Sequence, residues 1–162
     1  MSILVTGGAG YIGSHCVAAL VRRGIDVVVV DNLSKGHRQA LKGGRLYVGD
    51  VGSKPFLESV FRREQIDAVI HFAAFSLVGE SMSVPEQYFR NNCMAGLTLI
   101  DTMLQFKVPY LIFSSTAATY GEPEYVPIDE EHPKNPTNAY GESKLIVERM
   151  LRWNDSAHGL KY

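Results

Sequence analysis

Ile3-Leu4-Val5-Thr6-Gly7-Gly8-Ala9-Gly10-Tyr11-Ile12-Gly13 decides how the rest of this chain is read. A short apolar run passes straight into a turn with glycines at 7, 10 and 13, then into Tyr11–Arg23, where apolar residues recur three and four apart. Strand, tight turn and amphipathic helix therefore follow one another without a gap. Glycines at this spacing permit the turn, let a pyrophosphate approach the backbone and allow helix and strand to pack closely. The first N–H groups of the helix face the phosphates. Asp31 closes the second apolar run 18 residues beyond Gly13, where a carboxylate accepts hydrogen bonds from ribose hydroxyls. A 2′-phosphate there would meet like charge, and Asn32-Leu33 supplies no arginine. The expected cofactor is therefore NAD rather than NADP.

Outward from this unit the pattern repeats. Strands are expected at Ile3–Thr6, Val27–Val30, Leu46–Gly49, Ala68–Phe72 and Tyr110–Ser114, all but the third apolar almost throughout, as strands covered on both faces are. Helices are expected at Tyr11–Arg23, Lys54–Glu64, Pro85–Phe106 and Asn138 to about Ser156, with Gly24 and Pro109 as stop signals. Alternating strands and helices imply an α/β fold, a doubly wound parallel sheet of Rossmann type. Pro123, Pro127, Pro133 and Pro136 exclude a helix from Gly121–Thr137 and mark a long loop after the fifth strand.

Composition narrows the partners. With 46% apolar and 20% charged residues the chain is an ordinary globular domain, and a net charge of −1 offers no basic field to nucleic acid or an anionic membrane surface. Cys16 and Cys93 stand apart from each other and from any histidine cluster, so they read as reduced thiols and no metal site is indicated. Met1 leads directly into the first strand without a signal-peptide pattern, so the expected location is cytoplasmic.

Tyr140 and Lys144, four apart, share one face of the last helix. Ser114-Ser115-Thr116 follows the fifth strand, and open parallel sheets bind ligands beyond their strand ends. Lysine and a positive nicotinamide ring both favour phenolate, so Tyr140 is placed as a base for a sugar hydroxyl, with Thr116 hydrogen-bonding the same oxygen. Asp50, after the third strand, is either a contact to the adenine amino group or a turn and capping residue.

These motifs, with His71-Phe72-Ala73-Ala74, Val78-Gly79-Glu80-Ser81, Asn91-Asn92, Phe113 through Gly121 and Tyr140-Gly141-Glu142-Ser143-Lys144, resemble the UDP-glucose 4-epimerase branch of the extended short-chain dehydrogenase/reductase family in order and spacing. The resemblance implies cofactor contacts at Tyr11, Ile12, Asp31, Asn32, Leu33, Ser34, Lys35, Gly36, Asp50, Val51, the segment Phe72, Ala73, Ala74, Phe75 and Ser76, then Asn91, Ser114, Tyr140 and Lys144, beside Gly7, Gly10 and Gly13. It implies Tyr140, Lys144 and Thr116 as catalytic residues and the interconversion of UDP-glucose and UDP-galactose through C4. Ala117 and Ala118 stand where related dehydratases and decarboxylases carry acidic residues, which disfavours dehydration; Ser76 stands where many 4-epimerases have lysine.

Family members are about twice as long. Residues 1–162 are therefore expected to form an incomplete NAD-binding domain without the C-terminal substrate domain, with an apolar edge at the fifth strand and doubtful activity alone. The resemblance also implies a homodimer packed through the last helix. Two other functions remain open at this stage: a non-catalytic NAD-binding module, and an epimerase acting on a different UDP-sugar.

Overall fold

The structure is a computed structural model that describes all of residues 1–162. Five strands form one parallel sheet: β1 (Ser2–Thr6), β2 (Asp26–Asp31), β3 (Arg45–Val48), β4 (Ala68–His71) and β5 (Tyr110–Phe113), in the order β3-β2-β1-β4-β5. The order reverses between β1 and β4, so the strand ends diverge there and open a crevice. The helices are α1 (Tyr11–Arg22), α2 (Lys54–Arg63), α3 (Val78–Ser83), α4 (Pro85–Tyr88), α5 (Ala95–Gln105) and α6 (Ala139–His158).

Side chains alternate across the sheet, and the two faces gather two cores. Leu4, Val28, Val30, Val69 and Leu111 pack against Leu57 and Val60 of α2, Leu99, Ile100 and Met103 of α5, and Val147 and Leu151 of α6. Ile3, Val5, Val27, Val29 and Ile70 pack on Val17 of α1. A fully buried Leu or Val contributes roughly 1.5–3 kcal/mol, so the larger face dominates stability. Over β5 the smaller face is uncovered, and Tyr110 and Ile112 are exposed there. The β5 edge is not entirely bare: Leu111 N–H donates to the Lys161 carbonyl at 2.8 Å, and Lys161 N–H donates to the Pro109 carbonyl at 2.9 Å.

Three local differences from expectation have physical causes. The helix expected across Pro85–Phe106 is interrupted by one π-helical segment, Phe89–Met94, where the carboxamide of Asn92 turns inward. A short helix, α3, occupies a stretch whose six residues are too few to show a period. The last helix runs to His158 because Gly159, at φ +72°, supplies its left-handed cap. The proline-rich stretch up to Thr137 holds no helix, and Asn138 then caps α6 by accepting from Gly141 N–H at 2.8 Å.

Candidate functional site

A cleft of about 460 Å3 opens along the carboxyl ends of the strands. Its floor is the turn between β1 and α1. Gly7 sits at φ +70°, and a Cβ there would lie 2.6 Å from Ala73 N; a Cβ on Gly13 would lie 2.2 Å from Gly7 O. Those two glycines let backbone meet backbone. Gly10 differs, because a Cβ there meets one protein atom, Gly7 O at 3.3 Å, and otherwise projects into open space. Gly10 is also the N-cap of α1 and provides no side-chain cap, so the first N–H groups of the helix are left for an anion. An open cradle beside an uncapped helix start fits a pyrophosphate.

Asp31 is buried at the end of β2, and each carboxylate oxygen holds the local backbone. Oδ2 accepts from Ala9 N–H at 2.9 Å and Oδ1 from Leu33 N–H at 2.8 Å. A carboxylate has lone pairs beyond these two, so ribose hydroxyls can still be accepted. Asp50 spends Oδ1 on Gly52 N–H at 2.7 Å and Oδ2 on the Asn32 amide at 3.3 Å, so it both shapes its turn and faces the cleft.

At the other end stand Tyr140 and Lys144 of α6. Lys144 Nζ donates to the Ser114 carbonyl at 2.8 Å and lies 4.7 Å from the centre of the Phe113 ring. It makes no ion pair with a carboxylate. Burial disfavours its charged form and brings its pKa down to about 8. His71, stacked on Phe113 and hydrogen-bonded to Thr6 Oγ1 across 2.6 Å, is fully buried; burial first, and the nearby Lys144 charge second, lower it to about 3. A neutral imidazole thus lies close to a buried cation.

The cleft lining brings together Gly7, Gly10, Tyr11, Ile12, Gly13, Asp31, Asn32, Ser34, Lys35, Gly36, Asp50, Val51, Phe72, Ala73, Ala74, Ser76, Asn91, Ser114, Tyr140 and Lys144. Leu33 and Thr116 lie outside it. Leu33, at φ +60°, gives its backbone to Asp31, and Thr116 caps a short turn by accepting from Ala118 N–H at 3.2 Å. Phe75, inside the Phe72–Ser76 segment that the resemblance implied, also lines it, whereas two further lining residues, Gly49 and Ala95, escaped sequence reasoning. Asn92 escaped it as well. Buried behind the lining, Asn92 accepts from Phe75 N–H at 2.8 Å and donates to the Phe75 carbonyl at 3.0 Å and to Ser143 Oγ at 2.9 Å, tying one wall of the cleft to α6. A second polar residue next to Asn91 was the only available signal.

Comparison with known proteins adds the decisive observation. Residues 3–162 match the model of the NAD dependent epimerase/dehydratase family. The chain belongs to that family. This epimerase/dehydratase chain is 55% identical to UDP-glucose 4-epimerase of Lacticaseibacillus casei over its whole length and 49% of the relative's. It is 52% identical to that of Halalkalibacterium halodurans, over its whole length and 48% of the relative's. A crystal structure of a UDP-glucose 4-epimerase superposes with a TM-score of 0.98 at 55% identity, over all of this chain and 50% of that one. The Brucella ovis UDP-glucose 4-epimerase in complex with NAD superposes at 0.97 and 43% identity, over 99% of this chain and 50% of that one. The chain spans about half the length of the curated relatives it matches. No helix is long and apolar enough to cross a membrane.

Proposed function

We propose that this chain binds NAD along the cleft and supplies the acid–base residues of a C4 epimerase that interconverts UDP-glucose and UDP-galactose. The observation that carries the reading is the convergence, in one cleft, of the Gly10 cradle and Asp31 with Tyr140 and Lys144. Gly7, Gly10 and Gly13 shape the pyrophosphate site, Asp31 takes the adenosine ribose, and the Phe72–Ser76 segment and Asn91 line the far wall. When bound, NAD supplies a hydride acceptor.

The residues of the chain handle the proton. An ordinary tyrosine titrates near 10 and is a weak base at neutral pH. Tyr140 stands one helical turn from the Lys144 cation on the same face of α6, which makes it the residue assigned to take the proton of the C4 hydroxyl. The Thr116 hydroxyl accepts from Ala118 N–H and keeps its own proton, so it can donate to the same oxygen. Because the hydride returns to the C4 carbon and the proton to the oxygen it came from, there is no net redox change and no outside oxidant is consumed. The part of the relatives' length not matched here is where the grip on the uridine nucleotide belongs, so residues 1–162 alone are an incomplete NAD-binding domain that turns over UDP-galactose poorly. Met94, Leu97 and Trp153, exposed on the π segment, α5 and α6, support a homodimer through these helices.

Calorimetric titration of the 162-residue chain with NAD and with NADP tests the first step. The expected result is binding of NAD and at least tenfold weaker binding of NADP. Equal affinity for the two, or none for NAD, overturns the reading.

A further inference from the structure

We propose that Glu148 is a positioning residue for Lys144, holding the peptide between Ser114 and Ser115 so that the Ser114 carbonyl stays on the ammonium. β5 ends at Phe113, and the next three residues have no sheet partner on their outer side. Ser114 N–H still reaches the His71 carbonyl at 3.1 Å, while Ser115 N–H turns back to the Phe113 carbonyl at 3.1 Å. The direction of the Ser114 carbonyl therefore depends on the rotation of the peptide that follows it. One hydrogen bond to that carbonyl leaves the peptide plane free to tilt about the bond. A second hold on the neighbouring side chain removes that freedom.

Glu148 provides the second hold. It lies one helical turn after Lys144 on the same face of α6. Ser115 Oγ donates to Glu148 Oε1 in a short hydrogen bond, and Glu148 Oε2 pairs with Lys134 Nζ at 2.6 Å. The two carboxylate oxygens thus join three segments: the end of β5, helix α6, and the loop that runs into the Asn138 cap ahead of Tyr140. Lys134, which also lies 5.9 Å from the Tyr120 ring, has its pKa raised first by its hydrogen bond to Glu148. A half-exposed ion pair contributes little stability on its own. Its effect here is directional.

The proposal rests on Lys144 acting in the cleft. Titration of Lys144 in the full 162-residue chain, followed through its side-chain NMR signals, tests it. The titratable groups around Lys144 are His71 on β4, Cys93 on the π segment, and Tyr140 and Glu148 on α6 itself; the first three stay in place in every variant, and loss of the Glu148 charge by itself would lower the Lys144 midpoint, opposite to the rise expected here. In Glu148→Ala and in Ser115→Ala the loosened carbonyl admits water, and the Lys144 midpoint rises toward the ordinary lysine value near 10.4. Glu148→Gln and Ser115→Thr each keep the Ser115 contact and restore the wild-type midpoint. Lys134→Met leaves it unmoved. An unmoved midpoint in a folded Glu148→Ala chain, or an equal shift in Lys134→Met, overturns the proposal; if Glu148→Ala does not fold, the Ser115 pair decides in the same way. NAD titration of Lys144→Met separates the two levels. Unchanged affinity there undoes the reading of the cleft, whereas weakened affinity with an unmoved Lys144 in Glu148→Ala removes the positioning role alone.

Discussion

The two ends of the cleft are built on different principles. At the glycine turn the surface offered to a ligand is backbone, shaped over seven consecutive residues from Gly7 to Gly13 and fixed by the absence of side chains. At the Tyr140 end the surface is side chains, held by bonds that cross large sequence distances: Lys144 to Ser114, Ser115 to Glu148, Asn92 to Ser143. At Gly7 and Gly13 the first end leaves no room for an added atom. The second tolerates atom changes that leave packing alone but alters its chemistry when a charge or hydroxyl moves.

Gly7→Ala puts the contrast to its hardest test. The new methyl meets three backbone atoms of Phe72 and Ala73 at 2.6–2.9 Å and must also adopt φ +70°. The expected loss is about 5 kcal/mol, most of the stability of a marginal domain. Urea unfolding measures it, and a loss below about 1 kcal/mol would mean that the turn can yield.

The side-chain end is instead broken by protons. His71 is neutral in the folded chain at a pKa of about 3, whereas an unfolded histidine binds a proton below about 6.5. Between those values the unfolded state holds the extra proton, so stability is full above about pH 6.5 and falls on acidification, by up to about 5 kcal/mol. His71→Phe should flatten the urea midpoint between pH 6.5 and 4.5 relative to wild type. Parallel curves for the two proteins would show that the imidazole is not what acid attacks.

Lys144 acts on the alkaline side with the opposite charge state. Its folded value of about 8 lies below the usual 10.4, so the unfolded chain again holds the extra proton in that window. Stability therefore rises with pH from about 8 to 10.4, by up to about 3 kcal/mol. In Lys144→Met that rise disappears, and at pH 7 the variant is at least as stable as wild type.

Tyr140→Phe has the smallest effect on stability and sharpens the comparison most. The hydroxyl of half-buried Tyr140 makes no hydrogen bond within the protein, so unfolding should change by less than about 0.5 kcal/mol. A larger loss would show that this end, too, is structural scaffolding.

Legibility follows the same division. The strand–turn–helix opening, Asp31 and the Tyr140–Lys144 pair were all readable because each is a local pattern, set by glycine spacing, strand length or helical periodicity. The sheet followed for the same reason: apolar runs alternating with amphipathic segments admit few arrangements besides a covered parallel sheet. Leu33 rests on the family resemblance, and Thr116 on that resemblance and its place after the fifth strand, and in the fold both stand outside the cleft lining: Leu33 has a left-handed backbone, and the Thr116 hydroxyl accepts from Ala118 N–H while keeping its own proton to donate.

The linear chain by itself determined the strands, the cradle and the chemical types at the two ends, since these depend on neighbours within about one helical turn. Only the tertiary structure decided the π segment, the inward turn of Asn92, the depth at which Lys144 is desolvated and the bond between Ser115 and Glu148. Those features depend on groups 17 to 51 residues apart being brought within hydrogen-bond reach. Such reach is set by how helices seat on the sheet, and no period in the sequence encodes it.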